Sequence, residues 1–368
     1  MKILFKVLLP LVLLLAKPAV AQAQFTFTTN NGTITITDYT GPGGDVVIPS
    51  STSGLPVTTI GAYVFVNSGL TNVTIPGTIT SIGEGAFEEC GLTEVTLPDN
   101  VTNIGPYVFM WCLKLNHATL GTGVTTIGKS AFEYCWSLTN VSIPRSLNNI
   151  GDFAFADCSS LTAIPVDALN PVYSSFDGVL FNKEMTMLVE YPYCKGSNYI
   201  VPDGVTSIRD DGFFYCRGLV TVTIPASVTN IGVWTFSQCT SLTGVYFKGN
   251  APSLASASAF TGAAQATVYF LPGTLGWGST FGQRPTALWT LPYPVILNNS
   301  LAFDLQTGTF GFTISWATNI PVVVEACTSL PNHSWTTICT NTLNSGTNYF
   351  SDPNWTSYPA RFYRVRSP

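Results

Sequence analysis

Charge is what this chain of 368 residues has least of. Asp, Glu, Lys and Arg make up only 10% of it, where about a quarter is usual. The net charge is -5 and no basic run appears, which excludes nucleic acid as a partner. Histidine is equally scarce. His117 and His333 are the two copies and fall in different regions, which argues against a shared metal or general-base site. No GxSxG, HExxH, P-loop or dinucleotide-type glycine motif stands in a suitable context. Beyond the first residues there is no apolar run long enough to cross a bilayer.

The start of the chain carries its own signal. Lys2 and Lys6 flank and precede the apolar run "VLLPLVLLLA", and "KPAVAQAQ" offers small-residue cleavage sites after Ala21 or Ala23. Residues 1–23 therefore read as a secretory signal peptide. The mature chain is expected to be secreted or held at the cell surface or outer envelope, with no transmembrane helix.

What the chain has in abundance is a repeated phrase. Units beginning at Val57, Ile79, Val101, Val124, Leu147, Val205 and Val228 follow (V/I/L)-(T/N)-x-I-(G/R)-x-x-x-F-x-x-C-x-x-L-x-x-V-x-(I/L)-P. We call them coils 1 to 7. Their starts are 22, 22, 23, 23, 58 and 23 residues apart, so one insertion, residues 165–204, interrupts the period. A period this short is too small for a helical hairpin and fits a leucine-rich-repeat-like solenoid. "LTNVTIP" alternates as a half-buried strand does, with Leu70, Val73 and Ile75 inward, and Pro76 ends it. The "TSIG" piece reads as a second short strand. Gly83, Gly105, Gly128, Gly151 and Gly232 are expected to permit the turn that follows. The segment around Phe87, Phe109, Phe132, Phe155, Phe213 and Phe236 reads as a helical or 3-10 turn. Only stacking can bury these positions, as columns of Ile, Phe, Leu and Val.

These motifs carry a resemblance. "VTSIRDDGFFYCRGLVTVTIPASVTNIGVWTFSQCTSLTGVYF" is similar to the BspA-type leucine-rich repeats also found in Treponema surface proteins. The inserted "FDGVLFNKEMTMLVEYPYCKGSNYIVPDGV" resembles the longer irregular unit such arrays carry. The resemblance implies a surface or adhesion role with protein or host-matrix partners, and no cofactor.

The fold class expected is mainly β: a solenoid of short strands with helical or 3-10 turns, plus a small C-terminal β-sandwich-like module. Residues 24–56 read as an N-terminal β cap, 57–290 as the solenoid, 291–300 as a linker and 301–368 as the module. Trp277 and Trp289 are placed to cover the last coil.

Nine cysteines need an account, and six of them (Cys90, Cys112, Cys135, Cys158, Cys216 and Cys239) share one repeat position. A disulfide framework is the first thought for an exported chain. Equivalent residues in stacked coils point the same way, however, which favours a line of buried free thiols, and a line cannot converge on a metal. Cys327 and Cys339 lie on two expected neighbouring strands and form a candidate disulfide, while Cys194 has no evident mate.

Function classes follow from the surface. Glu84, Glu88, Glu89, Glu133, Asp152, Asp157, Asp210 and Asp211 sit on the turn side and read as solvated, with no pair marked out for glycosidase chemistry. Outward ladder positions such as Asn72, Thr74, Glu94, Thr96, His117 and Thr119 give a flat hydroxyl-rich face. Around the turns recur Tyr107, Trp111, Tyr134, Trp136, Phe153, Tyr215 and Trp234, residue types enriched at binding hot spots. They either form an exposed flank or fold back onto the core; the sequence leaves both open. The expectation is a monomeric, non-catalytic protein that binds an unidentified protein or glycan. A ligand-free envelope spacer is the alternative, and an extracellular carbohydrate-active enzyme the third reading.

Overall fold

A computed structural model of the protein describes residues 24–297, 303–304, 310–330 and 334–367. The signal-peptide segment and His333 lie outside the described residues. The chain opens with an antiparallel hairpin, Phe25–Asn30 against Thr33–Tyr39. Its two-residue turn, Asn31-Gly32, has φ of 47° and 79°, as the tight hairpin turn matching strand twist demands. The hairpin caps the stack: the Tyr39 and Phe25 rings lie 5.1 and 6.2 Å from that of Phe65, the first aromatic of the core column.

From there the chain winds in coils. Leu55–Ile60 pairs in parallel with Thr33–Tyr39 and begins a ladder continued by Ser81–Ile82, Asn103–Ile104, Thr126–Ile127 and Asn149–Ile150. On a second face Gly44–Val47 pairs with Leu70–Thr74, and Glu94–Thr96, His117–Thr119 and Asn140–Val141 form a separate parallel sheet. Between the ladders Phe65, Phe87, Phe109, Phe132 and Phe155 stack at 5.0 to 5.6 Å. Each of these rings is almost wholly buried, worth roughly 1.5–3 kcal/mol apiece in apolar transfer.

The insertion makes a layer with two faces. Tyr173–Phe176, Val179–Asn182 and Met187–Glu190 form an antiparallel meander. Leu180 and Val189 enter the core of coils 1 to 5, whereas Val179, Phe181 and Leu188 enter that of coils 6 and 7. The first ladder ends at Asn149–Ile150, where the Tyr173 hydroxyl accepts the Ile150 amide at 3.1 Å. A new ladder starts from Met187–Glu190 through Ser207–Ile208, Asn230–Ile231 and Ser253–Leu254. Tyr191, Phe213, Phe236 and Phe260 resume the column at 5.1 Å intervals. At the far end Trp277 packs on Phe247, Phe270 and Phe281, and Trp289 on Tyr246.

The turns of coils 1 to 7 are not the helical or 3-10 pieces expected. Alternate amides leave the coil: Gly85, Phe87 and Glu89 donate to Pro106, Val108 and Met110 of the next one. Those between donate three residues back, Ala86 to Gly83 and Glu88 to Gly85. A helix would keep all these donors to itself. Here the coil-to-coil ladder takes half of them.

The described residues between 295 and 367 add two sheets around one core. Phe310–Ser315 is flanked by Val295–Ile296, Phe303–Asp304 and Thr347–Asp352, and Pro321–Cys327 by Thr336–Thr342 and Phe362–Arg366. Val295–Ile296, in the segment read as a linker, is thus a strand of this module. The module docks on the segment that follows coil 7, with the Ser315 hydroxyl donating to Pro272 O at 2.6 Å and the Trp316 indole to Leu291 O at 2.7 Å. Cys327 and Cys339 are free thiols. A bulge at Val324/Glu325 sets Cys339 opposite Val324, while Cys327 stands opposite Phe362 on the other neighbour. The candidate disulfide is therefore not formed: three residues of register separate the two thiols along their strands, against the close Cβ approach a disulfide requires.

Candidate binding surface

In coils 1 to 7 two positions of the turn take left-handed backbone. In coil 3 they are Tyr107 and Trp111, with φ of 60° and 62°. Tyr134, Phe153, Tyr215 and Trp234 occupy equivalent positions in coils 4 to 7, with φ between 56° and 61°. For a bulky L-residue this region is unusual and costs about 1–2 kcal/mol. Gly85 and Asn67, which tolerate it, each fill one of the two positions in coils 2 and 1, and Glu89 and Tyr63 fill the others. Six of the seven aromatics singled out by sequence thus sit at backbone positions where a smaller residue is cheaper. Trp136, just past one such position, is the exception.

The left-handed geometry turns these rings out onto one flank, and there they meet. Trp111 stacks on Tyr134 at 4.1 Å and touches Trp136 edge-on at 6.3 Å. Tyr134 meets Tyr215 at 5.9 Å, and Tyr215 meets Phe214 at 4.6 Å. Phe214 packs on Phe153 at 4.9 Å, and Phe153 on Trp234 at 5.6 Å. The series runs unbroken from Trp136 to Trp234, which are 45% and 43% exposed. The others are half-buried, and none enters the core. Tyr107 stands apart from the ring series but lines the same groove, of about 460 Å³, with Lys129, Glu133, Phe153, Tyr215 and Trp234.

The groove lies where the stack is broken. Coil 4 donates from Ser130, Phe132 and Tyr134 to coil 5 in the usual way. Coil 5 finds no such partner for Phe153, because residues 190–194 of the insertion make no left-handed turn on this flank. Instead the Phe153 amide donates to the carboxylate of Asp211, from coil 6. Arg209 bridges back to Asp152 at 2.6 Å, and Arg217 lies 3.7 Å from Asp157 and over the Tyr215 ring.

Two carboxylates expected in solvent are instead inside. Asp157 and Asp211 are buried, because the break turns this part of the flank inward against the neighbouring half. Burial pushes the Asp211 carboxyl up to about 7, against the lowering pull of the Phe153 amide and Arg209. One of its oxygens has no hydrogen-bond partner among the described residues. Glu190, also buried, is raised by burial first and by Asp211 second. On the strand ladder, by contrast, Asn72, Thr74, Glu94, Thr96 and His117 face solvent as expected, with His117 Nε2 3.2 Å from Thr119 Oγ1.

The model of the BspA type leucine rich repeat region matches residues 58–177 and 190–276, in six copies. The chain belongs to this family. Among solved structures, the BspA-type array resembles the pneumococcal vaccine antigen PcpA at 18% identity and a TM-score of 0.55, covering 68% of this chain and 81% of that one. A leucine-rich repeat protein from Eubacterium ventriosum ATCC 27560 matches at 24% identity and a TM-score of 0.51, over 68% and 77%. A leucine rich cell surface protein from Faecalibacterium prausnitzii A2-165 matches at 26% and 0.45, over 67% and 87%. The first two share the fold. No curated protein matches the sequence.

Within this BspA-type array sequence reasoning missed two participants. Phe214 joins the two halves of the ring series, yet it occupies a position that is Glu88, Met110, Glu133, Ala156 or Ser237 in other coils. The doubled aromatic in "GFFYC" was its signal. Glu190 had none, because it belongs to the non-repeating insertion.

Proposed function

We propose that the protein is an exported, non-catalytic binding protein that engages a protein or glycan ligand at the cell surface or outside the cell, through its aromatic flank. One observation carries this reading. Aromatic residues from coils 3 to 7 occupy left-handed positions where glycine or asparagine is cheaper, and their rings join across the break. Their mutual stacking offsets part of that cost, but it leaves Trp136 and Trp234 at the two ends of the series 45% and 43% exposed, and large rigid rings are the residues on which binding energy concentrates. The signal-peptide reading of residues 1–23 supports the location.

The test is adhesion. Beads carrying the mature chain are layered on immobilised matrix proteins and glycans, and the Trp111→Ala/Trp136→Ala variant is compared with the parent. The variant is expected to lose about tenfold in adhesion with its melting curve preserved. Parent-like adhesion by the variant would remove this flank from the function. No adhesion by the parent to any surface would favour a spacer role instead.

A further inference from the structure

We propose that the groove at the break takes a neutral oligosaccharide, an assignment that rests on the flank being the binding surface. The first argument is charge. The groove's ionisable side chains include Lys129 and Glu133, of opposite sign. The Lys129 ammonium sits over the Phe153 ring at 5.9 Å. A site without net charge gives no steering to a polyanion or polycation.

The second argument is the state of the backbone. An extended peptide gains affinity by adding to an open strand edge. On this flank the turn amides of Ser130, Phe132, Tyr134, Phe213 and Tyr215 already donate to the next coil, and that of Phe153 is held by Asp211. A peptide main chain finds none of these donors available. A sugar needs none of them. It asks for a ring face against its C–H groups and for side chains that both give and accept hydrogen bonds. Trp234, 43% exposed and braced by Phe153, supplies the ring. Gln238 and Thr261, on the same groove, supply an amide and a hydroxyl.

Calorimetric titration of the mature chain tests this. The probes are cellohexaose, mannohexaose, xylohexaose and N-acetylchitohexaose, with a heparin hexasaccharide as the polyanionic contrast. At least one neutral hexasaccharide is expected to saturate the chain, with heparin weaker. Trp234→Ala should weaken that binding by about tenfold or more. Trp289→Ala, outside the groove, should leave it within about twofold. Melting curves show that both variants are folded. The assignment is overturned if no neutral hexasaccharide binds, or if Trp234→Ala binds like the parent. If adhesion still depends on Trp111 and Trp136 while no hexasaccharide binds, the glycan assignment falls and the flank reading stands. If neither holds, both fall.

Discussion

The repeated cysteine shows how much one atom adds at the residue scale. Sequence alone marks these six as filler in a buried column. In the fold each thiol donates to the carbonyl at the aromatic position one layer earlier, Cys112 to Phe87 and Cys135 to Phe109 at 3.1 Å, Cys239 to Phe213 at 2.9 Å. The column is a line of hydrogen bonds between coils as well as a packing surface. Cys112→Ala removes a donor and opens a small void, and should cost about 1–3 kcal/mol, read from the urea midpoint. Burial also pushes these thiols up, Cys90 to about 11, with Cys112 and Cys135 likewise well above the ordinary thiol range. Because only the thiolate is nucleophilic, iodoacetamide at pH 8 should modify exposed Cys194 in the native protein and spare the column. Mass spectrometry of digests locates the label. Equal labelling of Cys112 and Cys194 would contradict the buried column.

At the scale of the element, the glycine after each inward Ile has a different reason from the one the sequence suggested. Gly83, Gly105, Gly128, Gly151 and Gly232 were expected to permit a turn, yet none has the positive φ that turns of that kind need. What they permit is contact. A Cβ on Gly128 would lie 2.5 Å from the backbone of Gly105 and Pro106, and one on Gly151 2.4 Å from Lys129 N. Coil 6 is instructive: it follows the insertion rather than a regular coil, and Arg209 replaces the glycine. Gly128→Ala should therefore cost about 2–3 kcal/mol through overpacking. Gly77→Ala, with nothing within 4 Å of the added carbon, should stay near neutral. Equal urea midpoints for the two variants would show that coil spacing is not set by this column.

Across the whole molecule the two cores meet at the insertion, and the buried carboxylates sit at that meeting. Asp211 is faced by the Phe153 amide, Arg209, Asp152, Asp210 and Glu190. Its folded carboxyl is raised to about 7, while an unfolded aspartate titrates near 3.9. Between these values the folded state holds the extra proton. The contribution of Asp211 is thus fully present below about pH 4 and is lost as pH rises to about 7. Glu190, raised by burial, acts with the same sign. Melting temperatures should fall across this window, and Asp211→Asn should flatten the fall, by at most a few kcal/mol in stability. An unchanged slope in the variant would place the effect elsewhere.

The sequence by itself determined the period, the inward columns, the placement of the insertion and the family. Each coil buries its residues against immediate neighbours, so one local pattern repeated suffices to specify them. Even the aromatic flank was legible as a set of recurring positions. Its continuity was not. Tyr134 and Tyr215 meet across 81 residues of chain, because the insertion supplies no left-handed turn between coils 5 and 6 on that side. The burial of Asp211 and Glu190 and the register parting Cys327 from Cys339 likewise belong to tertiary structure. Each depends on which layers and strands come to lie beside one another where the repeat fails, and a broken period leaves no pattern to read.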